Sequence, residues 1–350
     1  MVLENSDFER REKSKMSEKY LVLGGGGFLG HALVKRLLRA GCIVRSFSRR
    51  NYPELEAMGV ECVQGDILDH ASLERACTGC DTVFHTIAIC DIVKGWKAYY
   101  DVNVQGTQNV IDSCRKCGVK RLVYTSSPSV VIGQQDIVMG TEELPYAKRY
   151  LSPYPATKAM AEQMVLKADS PEMRTCALRP HLMWGVGEPH IIPNLLKMAD
   201  AGRLAIVGDG MNRVSITNVE NAAEAHYLAA MELAATARCA GKPYFVNDME
   251  PVLLWDWINR LLEGTGRPKI TRHISRRMLY FMGWLNELMH HLPGTGVPKL
   301  TRFVANQLGR SHCFSCERAE IDFCYKPVVS PEEGIQLMLA SLNSVPKGKE

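Results

Sequence analysis

No stretch of this chain approaches the ~20 consecutive apolar residues that a helix needs to cross a bilayer, which excludes an ordinary helical membrane span. The nearest approach, MLYFMGWLNELM at 278–289, is short and is interrupted by Asn286 and Glu287. The first nineteen residues lack the apolar core of a signal peptide. Their mixed charge predicts a disordered extension over 1–19, with Met16 as an alternative start, and a cytoplasmic location is expected. A net charge of +4 is too small to argue for nucleic acid as a partner. The one basic cluster, RPKITRHISRR at 267–277, has no aromatics interleaved to stack on bases and reads as a solvated face. Internal repeats are also missing. Cysteine is not scarce, at twelve residues, but without a signal peptide it suggests a reducing compartment rather than a disulfide framework. The pairs Cys77/Cys80 and Cys114/Cys117 each end a predicted helix just before a strand, so they read as small buried side chains, and no metal is expected.

What is present is concentrated in LVLGGGGFLG at 21–30. A short apolar strand runs into Gly24, Gly27 and Gly30, and HALVKRLLRAG follows as an amphipathic helix ending at Gly41. Gly24 permits the tight turn, Gly27 leaves room for a pyrophosphate, and Gly30 lets the helix lie close to the strand with its amides facing the anion. Gly25 and Gly26 have no individual explanation at this level.

Strands and helices then alternate. YLVLG leads to helix 30–40, CIVRSFS to helix 53–58, VECVQGD to helix 70–77, DTVFHTIA to helix 97–117, and RLVYTSS to helix 153–168 and the strand TCALRP. That pattern predicts an α/β Rossmann-type doubly wound parallel sheet, with a nucleotide-binding domain over 20–180. After Pro180 the regularity weakens: helix 191–201, a short RLAIVG strand, a helical stretch at 219–235, a YFVND strand, helix 255–264, and a Met- and Trp-rich region at 275–310. SPEEGIQLMLASL has a serine N-cap and early acidic residues, so it closes as a helix. A smaller mixed substrate-binding region, interleaved with the sheet, is expected over 181–345.

Tyr154 and Lys158 in SPYPATKAMAEQ lie four apart and project from one helix face. A nearby ammonium is expected to lower the phenol pKa, so that the phenol can exchange a proton with a carbonyl or carbinol oxygen. Ser126 and Ser127 end the strand RLVYTSS, where ligands of parallel sheets sit.

With these residues together, the chain resembles the extended short-chain dehydrogenase/reductase family from Tyr20 to about Gly210. The resemblance implies that Gly24, Gly27, Phe28, Leu29 and Gly30 hold the cofactor, with Asp66 and Ile67 beside the adenine and Thr86, Ala88 and Asn103 further along it. Pro180, His181 and Met183 would run along the nicotinamide. Ser127 is then the catalytic hydroxyl, with Ser126 the second candidate, and Tyr154 and Lys158 are the acid/base pair. Lys158 would also bind the nicotinamide ribose.

The second strand ends in Ser48, Arg49 and Arg50 rather than in the carboxylate of an NAD site, which predicts NADP(H). If Arg50 only faces solvent, Arg49 alone reads the 2′-phosphate.

Within the family the chain is similar to the branch of 3β-hydroxysteroid and sterol-4-carboxylate dehydrogenases. It is most similar to bacterial olefin-biosynthesis reductases of 2-alkyl-3-oxoalkanoic acids, in NYPELEAMGV, GRLAIVGDGMNRV, AGKPYFVND and LTRFVANQL. That resemblance implies a long-chain 2-alkyl-3-oxo or 3-hydroxy acid substrate, a homodimer, and a complex with a condensing enzyme and a β-lactone synthetase. Arg149, His181 and Arg213 are the candidate cations for the substrate carboxylate. Residues 278–292 suit an apolar groove, an ordinary core helix, or a membrane-touching helix flanked by Arg276, Arg277 and Lys299. A sterol dehydrogenase and a non-catalytic dinucleotide sensor are the competing readings. Intact Ser127, Tyr154 and Lys158 speak against the sensor.

Overall fold

The computed structural model describes residues 18–90, 95–290 and 300–344. Most of the expected N-terminal extension, residues 291–292 of the apolar segment, and Lys299 lie outside the described residues.

Seven strands form the central sheet: β1 (Lys19–Leu23), β2 (Ile43–Ser48), β3 (Glu61–Gln64), β4 (Thr82–His85), β5 (Arg121–Thr125), β6 (Arg174–Pro180) and β7 (Lys242–Val246). Their order is β3-β2-β1-β4-β5-β6-β7, and every neighbouring pair is parallel. Such a sheet must be covered on both faces, and β1 shows how. Tyr20 and Val22 enter one core cluster and Leu21 and Leu23 the other, and all four are fully buried. The helices Phe28–Arg39 and Val219–Ala235 cover the first face. The helices His70–Cys77, Gly106–Lys116 and Pro153–Lys167 cover the second, where Cys77, Cys80 and Cys114 fill core positions. Chain order and sheet order reverse direction beside β1, so the strand ends there open a crevice.

The remaining strands are short. Ile137–Gly140, Arg213–Val214, Val252–Leu253 and His312–Phe314 form a four-stranded sheet from four distant segments. A third core cluster gathers Trp184, Trp255, Trp257, Leu261 and Leu262 with Ile335 and Met338 of the terminal helix Pro331–Ser344. Ser330 Oγ accepts from Glu333 N at the start of that helix, as an N-cap should.

The structure differs from expectation in three elements. The helix expected over 97–117 is a short α turn (Trp96–Tyr99), a π-helical segment (Tyr100–Gln105) and the helix Gly106–Lys116. The π segment carries Asn103, whose side chain bonds outside the helix. The YFVND strand runs from Lys242 to Val246, and Asp248 lies beyond its end, where its carboxylate accepts from Asn218 N and Trp184 Nε1. The RLAIVG strand shortens to Ile206–Val207. Among the described residues, no helix is long and apolar enough to cross a membrane.

Candidate active site

The carboxyl ends of β1, β4, β5 and β6 lead into Gly24, Thr86, Ser126 and His181, and the site is built there. Gly24 has φ +93°, a left-handed conformation that glycine adopts freely. A Cβ on Gly30 would lie 2.0 Å from the Gly24 carbonyl oxygen, so only glycine lets the helix sit this close to the strand. Gly27 would meet only that same oxygen, at 3.2 Å, which leaves its outer side open. The helix Phe28–Arg39 starts with no side-chain cap and no acidic residue in its first turn, so its free amides suit a pyrophosphate. Gly25 and Gly26 now have reasons. Their Cβ atoms would strike Ser46 Oγ at 2.3 Å and the Tyr52 ring at 2.2 Å.

A cavity of about 260 Å³ lies at the ends of β2 and β3. Ser48, Arg50, Tyr52, Glu56 and Gln64 are among its lining residues. Arg50 is exposed and is also among the residues lining that cavity. Arg49 is outside that lining, and its backbone carbonyl accepts from Gln64 Nε2. Asp66 is exposed just beyond β3 with its carboxylate accepting from Leu68 N, and Ile67 is buried under Gly106. Thr86 Oγ1 donates to the Leu23 carbonyl and locks the start of the glycine turn to β4. Ala88 is half-buried in the loop that follows.

Asn103 does not turn its amide toward the crevice. Its Oδ1 accepts from Ile89 N at 2.8 Å, and its Nδ2 donates to the Ile89 carbonyl and to Thr157 Oγ1. It pins the loop after β4 to the helix that carries Tyr154. Thr107 extends the same layer, bonding the Asn103 carbonyl and meeting His85 Nε2 at 3.0 Å. The spacing could have pointed to both threonines, since Thr107 is four residues after Asn103 and Thr157 three after Tyr154.

Tyr154 and Lys158 share the helix Pro153–Lys167, and the Ser127 side chain reaches the Tyr154 hydroxyl. The expected lowering of the phenol pKa is corrected here. Burial pushes it well above the usual value and Cys90 adds to the rise, while the Ser127 bond opposes it. Lys158 is engaged elsewhere: its Nζ donates to the Thr125 carbonyl at 2.5 Å and stands 4.1 Å above the Tyr124 ring. Burial lowers the ammonium to about 7, against the pull of Glu162. A phenol with a raised pKa keeps its proton at neutrality, which is the form a general acid needs. Ser126 is buried, its Oγ without a hydrogen-bond partner among the described residues.

One turn beyond Lys158, fully buried Glu162 was not anticipated. It accepts from Arg179 Nε at 2.9 Å and Nη2 at 2.5 Å, and from the Tyr146 hydroxyl at 2.7 Å. This network clamps the catalytic helix onto β6.

The substrate-side candidates separate. His181 is buried, with its Nε2 2.6 Å from His312 Nδ1, and burial holds it well below the usual histidine pKa. A neutral ring cannot serve as the carboxylate cation, so that assignment is corrected. Pro180 ends β6, and Met183 opens the short strand Met183–Trp184. Arg213 is exposed and donates to the Pro251 carbonyl. Arg149 lines a cleft with Leu151, Pro155, Phe303 and Asn306, and has no ion-pair partner among the described residues. Pro155 follows Tyr154 directly, so this cleft adjoins the acid/base helix.

Comparison with known proteins agrees with this geometry. Residues 21–274 match the 3-beta hydroxysteroid dehydrogenase/isomerase family. The 2-alkyl-3-oxoalkanoate reductase of Stenotrophomonas maltophilia (strain K279a) is 45% identical over 92% of this chain and 99% of its own length. The mouse sterol-4-alpha-carboxylate 3-dehydrogenase, decarboxylating, is 34% identical over 95% of this chain and 93% of its own. A short-chain dehydrogenase/reductase superfamily protein from Agrobacterium tumefaciens, solved with bound NAD, superposes with a TM-score of 0.71 at 22% identity, over 93% of this chain and 97% of that one. A nicotinamide dinucleotide is therefore the cofactor class for the glycine turn. With the sheet order and the relatives agreeing, the chain belongs to the 3-beta hydroxysteroid dehydrogenase/isomerase family of extended short-chain dehydrogenases/reductases and is an oxidoreductase.

Proposed function

We propose that the protein is an NADP(H)-dependent reductase converting 2-alkyl-3-oxoalkanoic acids to 2-alkyl-3-hydroxyalkanoic acids. The observation that carries this reading is the Tyr154 hydroxyl bonded to Ser127, on the helix that also carries Lys158, in a chain 45% identical to a reductase of that name.

Held at the glycine turn, a nicotinamide dinucleotide would supply hydride chemistry for reduction of the ketone carbon. Tyr154 gives its phenolic proton to the ketone oxygen, and the Ser127 hydroxyl orients that oxygen by hydrogen bonding. Lys158, one helical turn beyond Tyr154, holds its ammonium on the Thr125 carbonyl, and in this reading it binds the nicotinamide ribose. Glu162 favours the charged form of that amine. Arg149 is the cation we assign to the substrate carboxylate, because it lines the cleft beside Pro155 and carries no competing carboxylate. Gly24, Gly27, Phe28, Leu29 and Gly30 hold the pyrophosphate. Ser48 and Arg50 support the preference for a 2′-phosphate through their place in the cavity lining. Glu56, the acidic residue there, sits on the helix Pro53–Ala57 rather than at the end of β2.

The same reading includes a cytoplasmic homodimer working beside a condensing enzyme and a β-lactone synthetase. Exposed Trp96, Tyr100 and Met160 give a second copy an apolar face to meet. The sterol reading is supported by the match to the 3-beta hydroxysteroid dehydrogenase/isomerase family and by the 34% identity to the mouse sterol carboxylate dehydrogenase, below the 45% identity to the reductase. Turnover with NADPH and NADH, on a 2-alkyl-3-oxo or 3-hydroxy fatty acid beside a sterol carboxylate panel, decides. The proposal expects turnover of the fatty acid with NADPH preferred. Turnover of sterols alone would reject it.

A further inference from the structure

His312 sits between the end of β6 and the wall of the cleft beside Pro155. It opens the strand His312–Phe314, where it pairs with Val214 on one side and Ile137 on the other. The rings of His312 and Phe314 both meet His181 edge-on, with centroids 4.7 Å and 5.5 Å away. Phe314 in turn stacks on Phe245 of β7 at 4.3 Å. The backbone of His181 is fixed as well. Its N–H donates to Thr217 Oγ1 at 3.0 Å, and the same hydroxyl lies 2.8 Å from its carbonyl oxygen.

Both ring nitrogens of His312 are engaged, and the acceptor at one end sets their roles. A carbonyl can only accept, so Nε2, 2.9 Å from the Gln307 carbonyl oxygen, carries the proton. Burial lowers the pKa of both rings, so each is neutral near pH 7 and His312 Nδ1 is a bare lone pair. His181 Nε2, 2.6 Å away, must then be the donor to it. The chain of bonds runs one way, from His181 through His312 to Gln307.

Gln307 belongs to the helix Arg302–Gly309, and its carbonyl is one of the last four, which have no partner inside an α-helix. Asn212 Nδ2 donates to the Leu308 carbonyl at 3.3 Å, and His312 satisfies the carbonyl of Gln307. The same helix gives Phe303, Asn306 and Gln307 to the cleft that Arg149 lines. It packs against the helix Arg276–Met289, whose Leu279 and Gly283 are buried while Phe281, Trp284, Leu285 and Leu288 stay exposed. Asn306 Nδ2 bonds it to the Gly133 carbonyl at 3.2 Å, and His312 links it to the end of β6.

We propose that His312 is a positioning residue for substrate binding, whose ring ties the helix Arg302–Gly309 to His181 and so fixes the cleft wall relative to the end of β6. The resemblance to the family sets the nicotinamide along that strand end, so the tie would hold the substrate cleft in register with the cofactor. An apolar ring of the same size would fill the space and bond neither side. The substrate clause rests on the proposed reductase function. The tie between helix and strand does not.

The test compares His312→Phe with His312→Gln in the full chain, using NADPH and a 2-alkyl-3-oxo fatty acid. Phenylalanine keeps a ring and loses both bonds, whereas the glutamine amide can still donate to the Gln307 carbonyl. His312→Phe should raise KM for the 3-oxo acid at least about tenfold and leave kcat and NADPH affinity within about twofold. His312→Gln should keep KM within about threefold of wild type. Amide hydrogen exchange over 302–309, which needs no substrate, should be at least about tenfold faster in His312→Phe and near the wild-type rate in His312→Gln. Thermal melting checks that each variant is folded. Were His312→Phe not to fold, His312→Asn takes its place, because its shorter amide reaches the position of Nδ1 but not that of Nε2. An unchanged KM in the phenylalanine variant overturns the inference, as does a glutamine variant equally impaired. Joint losses in KM, kcat and NADPH affinity, or exchange over 302–309 at the wild-type rate in His312→Phe, overturn it too. A wild type that turns over no 3-oxo acid rejects the reductase reading alone, and the exchange rates still decide the tie.

Discussion

The glycine turn, the proposed cofactor end, and the cleft beside Pro155, the proposed substrate end, are built by different means. At the cofactor end the constraint is backbone against backbone: Gly30 tolerates no Cβ because the Gly24 carbonyl stands 2.0 Å from where it would be. At the substrate end the constraint is which side chains are free. Arg149 has no ion-pair partner among the described residues, His181 is buried against His312, and Arg213 donates to the Pro251 carbonyl. The first end is rigid and generic to dinucleotides. The second is where specificity can change without disturbing the fold.

Four measurements would break or sharpen that contrast. The largest effect is expected at the junction of the two ends. Tyr154→Phe should retain NADPH binding, read by nucleotide fluorescence, and lose at least ~10²-fold in turnover. A fully active variant would remove Tyr154 from the mechanism.

At the cofactor end, Gly30→Ala should cost about 3 kcal/mol or more of stability in denaturant unfolding, since backbone cannot move aside cheaply. Gly26→Ala meets only the Tyr52 ring, a side chain that can turn. Tyr52→Ala should therefore rescue Gly26→Ala and leave Gly30→Ala uncorrected. Rescue of both would show that the turn is softer than its geometry implies.

At the substrate end, Arg149→Gln should raise KM for the 3-oxo acid roughly tenfold or more, as loss of a charge-assisted hydrogen bond does. The same ketone without its carboxylate should be unaffected. Equal losses on both would make Arg149 a structural residue.

The last measurement is a pH dependence of stability. Burial lowers His85 to about 3 and His226 to about 4, and it also lowers His181 and His312. The unfolded chain takes up protons below about pH 6.5 that the folded chain refuses. Stability is therefore full above that pH and is lost as pH falls toward 4, by up to about 1.4 kcal/mol per pH unit for each histidine. His226→Gln should flatten the curve of unfolding free energy between pH 6.5 and 4. A curve parallel to wild type would mean that His226 titrates normally in the fold.

Local patterns in the chain were legible where one segment carries its own constraint. The terminal helix is marked by its Ser330 cap, and the helix Val219–Ala235 by its unbroken run of helix formers. The π-helical segment at Tyr100–Gln105 was not legible, because its cause is the bond from Asn103 to Ile89 and Thr157, fourteen and fifty-four residues away. The two-residue strands were hidden for the same reason. Val214 pairs with His312 across the chain, and neither segment shows an alternating pattern long enough to read. The buried clamp of Glu162 on Arg179 exists only once the sheet brings the helix Pro153–Lys167 and β6 together.

By itself the sequence determined the parallel α/β class, the glycine turn and the shared helix face of Tyr154 and Lys158. Each of these follows from backbone sterics or periodicity within some thirty residues. Tertiary structure alone decided that Lys158 points at the Thr125 carbonyl and that His181 is neutral. It also decided that the apolar stripe of Arg276–Met289 faces outward. Burial and pairing set charge state and orientation, and both depend on which distant segments the fold brings together.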